Sequence, residues 1–159
     1  MPIGIASDHA GLQLKALLIR SLADVSFHDF GANTDASVDY PDYASKLALA
    51  VSQGQLAGGV AICATGIGMA IVANKFPAVR AAVCWSEKTC QLAKEHNDAN
   101  ILCLGAQHVR HEDSVRWVQT WLAAKFSDAD RHARRVQKIA TLEQSLGICT
   151  TKLTNKELL

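Results

Sequence analysis

Five short apolar runs, each followed by a stretch with helical spacing, leave this chain few folds to choose from. Residues 2–6, 25–30, 58–63, 79–85 and 100–104 read as strands bounded by polar or glycine-containing turns. Between them, Leu12, Leu14, Leu17, Leu18 and Leu22 recur with largely helical spacing over 12–22, with Lys15 and Arg20 expected to face water. A second helix is predicted over 41–53, with Pro41 at its first position and Ala44, Leu47, Ala48 and Val51 on one face. A third is predicted over 69–74. A fourth starts after Ser86, a good cap, and runs to about residue 94. Two more follow over 113–125 and 130–146. Strand–helix alternation of this kind demands a parallel sheet covered on both faces, so the expectation is a doubly wound, Rossmann-like α/β fold with a five-stranded sheet. No internal linker divides the chain, which reads as one domain over 1–146 and a polar tail over 147–159.

Charge and cysteine usage narrow the function classes. A net charge of +1 gives no basic surface for nucleic acid, and no apolar run approaches a membrane span. The amino-terminal residues reach Asp8 too soon for a signal peptide. The five cysteines, Cys63, Cys84, Cys90, Cys103 and Cys149, are odd in number and lack a C-x-x-C pair. They read as reduced thiols of a cytoplasmic protein, without metal-ligand spacing.

In doubly wound sheets, ligands bind beyond the carboxyl ends of the strands. Two such ends carry chemistry: Ser7-Asp8-His9 after the first run and Cys63-Ala64-Thr65-Gly66-Ile67-Gly68 after the third. A strand, a Gly-x-Gly turn and a helix offer free backbone N–H groups to an anion. Thiols at helix amino ends ionise readily, which makes Cys63 a candidate base or nucleophile. The local pattern also allows Cys63 to be only the last buried residue of a core strand. A dinucleotide fingerprint is disfavoured because Ile71 stands at the third glycine position. A cysteine-phosphatase loop is disfavoured because Met69 stands where an arginine would close it.

Other candidates have equally plain alternatives. Asp8 is either a helix cap or a polar site residue. His9 and Tyr40 are site residues, or surface and packing residues. His96-Asn97-Asp98 falls between the fourth helix and the fifth strand, hence at the amino end of the sheet. It lies a strand length, roughly 15–20 Å, from the Cys63 turn, so one site using both needs two subunits. Alternatively, it is a turn built from Asn and Asp. Arg131 and Arg135 share a helix face, which suits a phosphate or simply faces solvent.

Taken together, the segments Ile5-Ala-Ser-Asp-His-Ala-Gly11, Asp39-Tyr-Pro-Asp-Tyr-Ala44, Cys63-Ala-Thr-Gly-Ile-Gly68 with Ala73-Asn-Lys75, Arg80-Ala-Ala82, His96-Asn-Asp98 with Asn100, and Arg131-His132 with Arg135 resemble the type B ribose-5-phosphate isomerase and galactose-6-phosphate isomerase subunit family. The resemblance covers about residues 3–143 in order. It implies an α/β/α sandwich and a homodimer with sites shared between subunits, a tetramer being the alternative. It implies aldose–ketose isomerisation of a sugar phosphate through an enediolate, with no metal or organic cofactor. By resemblance, Cys63 is the base. Thr65 and the backbone of Ala64, Gly66, Ile67 and Gly68 hold the enediolate oxygens. Asp8 and His96 serve ring opening, with His132 as an alternative to His96. Asn97 contacts substrate, His9, Arg131 and Arg135 hold the phosphate, and Tyr40 lines the site. Where some members carry a glutamate base further round the turn, this chain has Met69. Two departures, Ala64 for a glycine and Gln107 for an arginine, leave a tetrose or hexose phosphate as an alternative to ribose 5-phosphate. A binding module without turnover is the reading from another class.

Overall fold

The computed structural model describes residues 1–127 and 129–147, so the expected tail, apart from Gly147, and Cys149 lie outside the described residues. Within them the strands are β1 (Ile3–Ser7), β2 (Phe27–Asp29), β3 (Gly58–Cys63), β4 (Ala81–Val83) and β5 (Ile101–Gly105). The helices are α1 (Leu12–Ser21), α2 (Tyr40–Ser52), α3 (Ile67–Ala73), α4 (Glu87–Asn97), α5 (His111–Ala123) and α6 (Asp130–Ser145). A short 3-10 turn, His9–Gly11, precedes α1. The strands form one sheet in the order β2-β1-β3-β5-β4, and every pairing is parallel.

The apolar runs form strands because both faces of the sheet are covered. β3 and β5 are buried along their whole length, which a continuous apolar run satisfies and an alternating one would not. On one face Ala44, Leu47, Ala48 and Val51 of α2 pack with Met69, Ala70 and Ala73 of α3. On the other, Leu14 and Leu18 of α1 pack with Cys90 and Ala93 of α4 and Trp117, Val118 and Trp121 of α5. This is the doubly wound, three-layer sandwich expected. The helices after β1 and β3 lie on opposite faces, so the adjacent carboxyl ends of these strands border a crevice at the reversal of strand order.

The edge strands are shorter than their apolar runs. At β2, the Val25 N–H already turns back to the Leu22 carbonyl. At β4, the Val79 N–H closes a turn onto Phe76, and the Trp85 N–H donates to the Thr89 hydroxyl of the next helix cap. Ser86 caps α4 as expected, accepting from the Thr89 N–H at 3.2 Å in a reciprocal capping box. α4 runs on past residue 94 and ends at Asn97, so His96 and Asn97 occupy its last turn rather than a loop. One orientation is reversed from expectation: Lys15 does not face water but is 2% exposed. Its position on α1 points across the sheet end, where four oxygen atoms receive it.

Candidate active site

At the carboxyl end of β3, the chain must leave the sheet and enter α3 within three residues. Gly66 makes the bend with φ +77°, a left-handed conformation that favours glycine. A Cβ there would also stand 2.9 Å from the Leu104 carbonyl carbon. The turn is tied to the end of β5, because the Ala106 and Gln107 N–H groups donate to the Cys63 and Ala64 carbonyls at 2.9 and 3.1 Å. Within it the Gly66 N–H donates to Cys63 Sγ at 3.1 Å. The Ile67 N–H donates to Thr65 Oγ1 at 3.3 Å. The Tyr40 ring covers Gly68 so closely that a Cβ would meet Cζ at 2.6 Å. Cys63 and Tyr40 therefore flank the amino end of α3, whose first N–H groups have no intrahelical acceptor.

The neighbouring strand end brings up Asp8 and His9. The Asp8 N–H donates to the Ile62 carbonyl at 3.2 Å, which stitches β1 to β3 beside the turn. Asp8 Oδ1 accepts from the Gly11 N–H at 3.1 Å. Asp8 is thus both a cap and a buried carboxylate at the strand end. His9 Nδ1 accepts the Val38 N–H at 3.2 Å, which leaves the proton of the neutral ring on Nε2. A cleft of about 220 Å³ opens on the far side of the turn, lined by Thr65, Ile67, Cys84, Trp85, Gly105 and His108.

A second group gathers at the amino ends of β4 and β5. His96 stacks on His132 with ring centroids 4.1 Å apart. Arg131 Nε donates to His132 Nε2 at 3.1 Å, so the neutral ring carries its proton on Nδ1, 2.6 Å from Ser127 Oγ. Desolvation, then the facing His96, Arg131 and Arg135 hold the His132 imidazole below its ordinary range. Arg80 shapes this end: its Nε donates to the Asn97 and Asp98 carbonyls at 3.1 and 3.0 Å, and its guanidinium pairs with Asp98 at 2.7 Å. Arg131 and Arg135 are exposed on α6. Sequence reasoning passed over the Ser127–His132 bond, and over the Arg80 brace, which links residues 17 and 18 positions apart.

The structure therefore brings together Cys63, Ala64, Thr65, Gly66, Ile67, Gly68, Asp8, His9 and Tyr40 at one end of the sheet. It brings together His96, Asn97, Arg131 and Arg135, with His132, at the other. Within one chain these sets are separated by the length of β5, roughly 15 Å. Cys63, Cys84, Cys90 and Cys103 are free and buried. Burial pushes the Cys103 thiol up. The neighbouring Cys84 and Cys90 thiols act on each other, lowering the first and raising the second. Among the described residues, no cluster of three or more His, Cys, Asp or Glu could hold a metal ion, and no helix is long and apolar enough to cross a membrane.

Residues 3–139 match the sequence model of the family described as Ribose/Galactose Isomerase. The chain is 40% identical over 144 residues to ribose-5-phosphate isomerase B of Escherichia coli K12, covering 89% of this chain and 96% of that protein. It superposes on ribose-5-phosphate isomerase B of Clostridium thermocellum with a TM-score of 0.88 and 44% identity, over 92% of this chain and 99% of that one. The Mycoplasma genitalium ribose-5-phosphate isomerase B structure, which holds ribulose 5-phosphate, gives a TM-score of 0.85 and 40% identity, over 90% and 96% of the two chains.

The His132 environment makes a pH prediction. Its folded form resists a proton that the unfolded chain takes up below the ordinary value of 6.5, so stability falls as pH drops through that point. Urea unfolding of the parent between about pH 7.5 and 5 should show this loss. His132→Asn should show a shallower slope; an unchanged slope would contradict the assignment.

Proposed function

The chain belongs to the ribose/galactose isomerase family, and within it we propose that this protein interconverts ribose 5-phosphate and ribulose 5-phosphate with Cys63 as the base. The substrate is the one carried by the names of the relatives and by the ligand of the Mycoplasma genitalium structure. The observation that carries the reading is the Cys63 thiol held by the Gly66 N–H at the mouth of a glycine turn.

The chemistry follows from the open-chain sugar. The proton on C2 is acidified by the C1 carbonyl, and the Cys63 thiolate removes it. The electron pair moves into an enediolate. The same sulfur returns the proton to C1, while the C2 hydroxyl proton passes to the C1 oxygen and leaves the ketone at C2. A positioned base contributes roughly 10²–10⁴ in rate. Developing charge on the enediolate oxygens is met by Thr65 and the backbone N–H groups of the 64–68 turn, donors fixed before the sugar arrives. The turn needs no side-chain motion, because Gly66, Leu104 and Tyr40 already hold it.

The remaining roles need a second copy of the chain. Opening of the furanose ring requires a group to take the C1 hydroxyl proton and another to protonate the ring oxygen. Asp8 and His96 fill these roles, and Asn97 contacts the open sugar. His9, Arg131 and Arg135 hold the phosphate, which takes no part in bond breaking but anchors the sugar against the base. The separation of the two residue sets within one chain supports a homodimer in which Asp8, His9, Tyr40 and Cys63 of one subunit face His96, Asn97, Arg131 and Arg135 of the other. The unit that does this is the domain over 1–146. Free, buried thiols fit a cytoplasmic location.

Two measurements test this. Cys63→Ala should lower kcat by roughly 10²–10⁴ with little change in KM; an unchanged kcat would remove the mechanism. Assayed on four-, five- and six-carbon aldose phosphates without added metal or cofactor, the parent should prefer ribose 5-phosphate. Preference for another length would assign Ala64 and Gln107 to a different sugar, and no turnover would favour a binding module.

A further inference from the structure

Lys15 is a charged group that the proposed chemistry does not use, yet it is 2% exposed. Burying an ammonium is costly unless its protons are all received. Here they are. Lys15 Nζ donates to Asp29 Oδ1 and Oδ2 at 2.8 and 3.0 Å, to the Ala32 carbonyl at 2.6 Å and to Asn33 Oδ1 at 3.0 Å. The acceptors lie on the last residue of β2 and on the segment that leaves it, whereas the lysine lies on α1. A core position on α1 could be filled by leucine, as at 14 and 18, if packing alone were at stake.

What the cation fastens is the wall of the candidate site. Asp29 Oδ1 also accepts the Gly31 N–H at 2.8 Å. Gly31 and Ala32 in turn pair with Ser7, the residue before Asp8, through Ser7 N–H to Gly31 O at 2.7 Å and Ala32 N–H to Ser7 O at 2.6 Å. The segment then runs to Val38, whose N–H is accepted by His9, and to Tyr40, whose ring covers Gly68. One end of the segment is thus held by Lys15, and the other supplies the partner of His9 and the cover of the turn. α1 itself begins just after Asp8 and His9.

We propose that Lys15 is a positioning residue for the isomerisation: its buried ammonium fixes the 29–39 segment against the Asp8–His9 end of β1 and so sets His9 and Tyr40 for the sugar phosphate. This rests on the reading of the site given above. Fixing binding groups in advance removes an ordering cost that the substrate would otherwise meet. Cys63, Thr65 and Gly66 are held by β3 and by the end of β5, and the clamp reaches their turn only through Tyr40 at Gly68, so binding is affected before proton transfer.

The test is steady-state kinetics on ribose 5-phosphate, or on the aldose phosphate the parent prefers, with unfolding measured alongside. Lys15→Met keeps the length and removes the donors; KM should rise about tenfold while kcat stays within about threefold. Asn33→Ala removes one exposed acceptor with little cost to folding, and should raise KM by a few-fold. Leu18→Ala, buried on the same helix among core residues, should lose stability and leave KM unchanged. If Lys15→Met does not fold, Asn33→Ala with Asp29→Asn decides. Unchanged KM in the clamp variants, an equal rise in Leu18→Ala, or a fall in kcat at constant KM would overturn the proposal. A parent without turnover, or Cys63→Ala with full kcat, would instead remove the reading of the site beneath it.

Discussion

The bend at the end of β3 governs the rest of the candidate site. Three residues after Cys63 the backbone takes a left-handed step at Gly66, and its two flanks are closed. On one side the Leu104–Gly105 backbone leaves no room for a side chain at Gly66. On the other, the Tyr40 ring lies against Gly68. The Cys63 and Ala64 carbonyls are taken by the residues that follow β5. The turn therefore has one conformation available, set by two neighbouring elements. In the proposed function that rigidity serves the enediolate, since donors that must reorganise lose much of their value at the moment charge appears.

From this follows a division of the molecule by sheet polarity. All five strands run in parallel, so their carboxyl ends share one rim and the turns that enter them share the other. Cys63, the glycine turn after it, Asp8 and His9 stand on the first rim. The histidine pair, Asn97 and the exposed arginines stand on the second, braced by Arg80 and Asp98. Desolvation and the facing His96, Arg131 and Arg135 hold the His132 imidazole below its ordinary range, while Arg131 donates into it. Such a cluster keeps proton donors and acceptors ordered at the far end of the sheet. In the proposed function it acts on the sugar bound at the near rim of another subunit.

Much of this was legible in the residues. β1, β3 and β5 announce themselves because a strand covered on both faces needs a continuous apolar run. The Gly-x-Gly turn after Cys63 and the Ser86 cap are local devices, written in adjacent residues. The apolar runs overstate β2 and β4, because edge strands end where side chains and turns take over their hydrogen bonds, as at Trp85 and Val79. Lys15 was read as solvent-facing because a helical pattern marks lysine as polar; what buries it is a carboxylate, an amide and a carbonyl 14 to 18 residues away. His96 and Asn97 were placed at the correct end of the sheet but in a loop. The carbonyls of Ala93 and Lys94 receiving the Asp98 N–H extend α4 through them. The motifs that carry the family resemblance are all short, and their collective order made the family legible where no single one would have.

The proposed function turns on a working site that draws Cys63 and His96 from different copies of the chain. It is tested by mixing inactive Cys63→Ala and His96→Ala chains under conditions of proven subunit exchange and measuring ketose phosphate formation. In a two-fold dimer, half of the assemblies are mixed, and each holds one intact site of two, so about a quarter of parent activity should return. Full exchange with no recovery would contradict the shared site and require both residues to act within one chain.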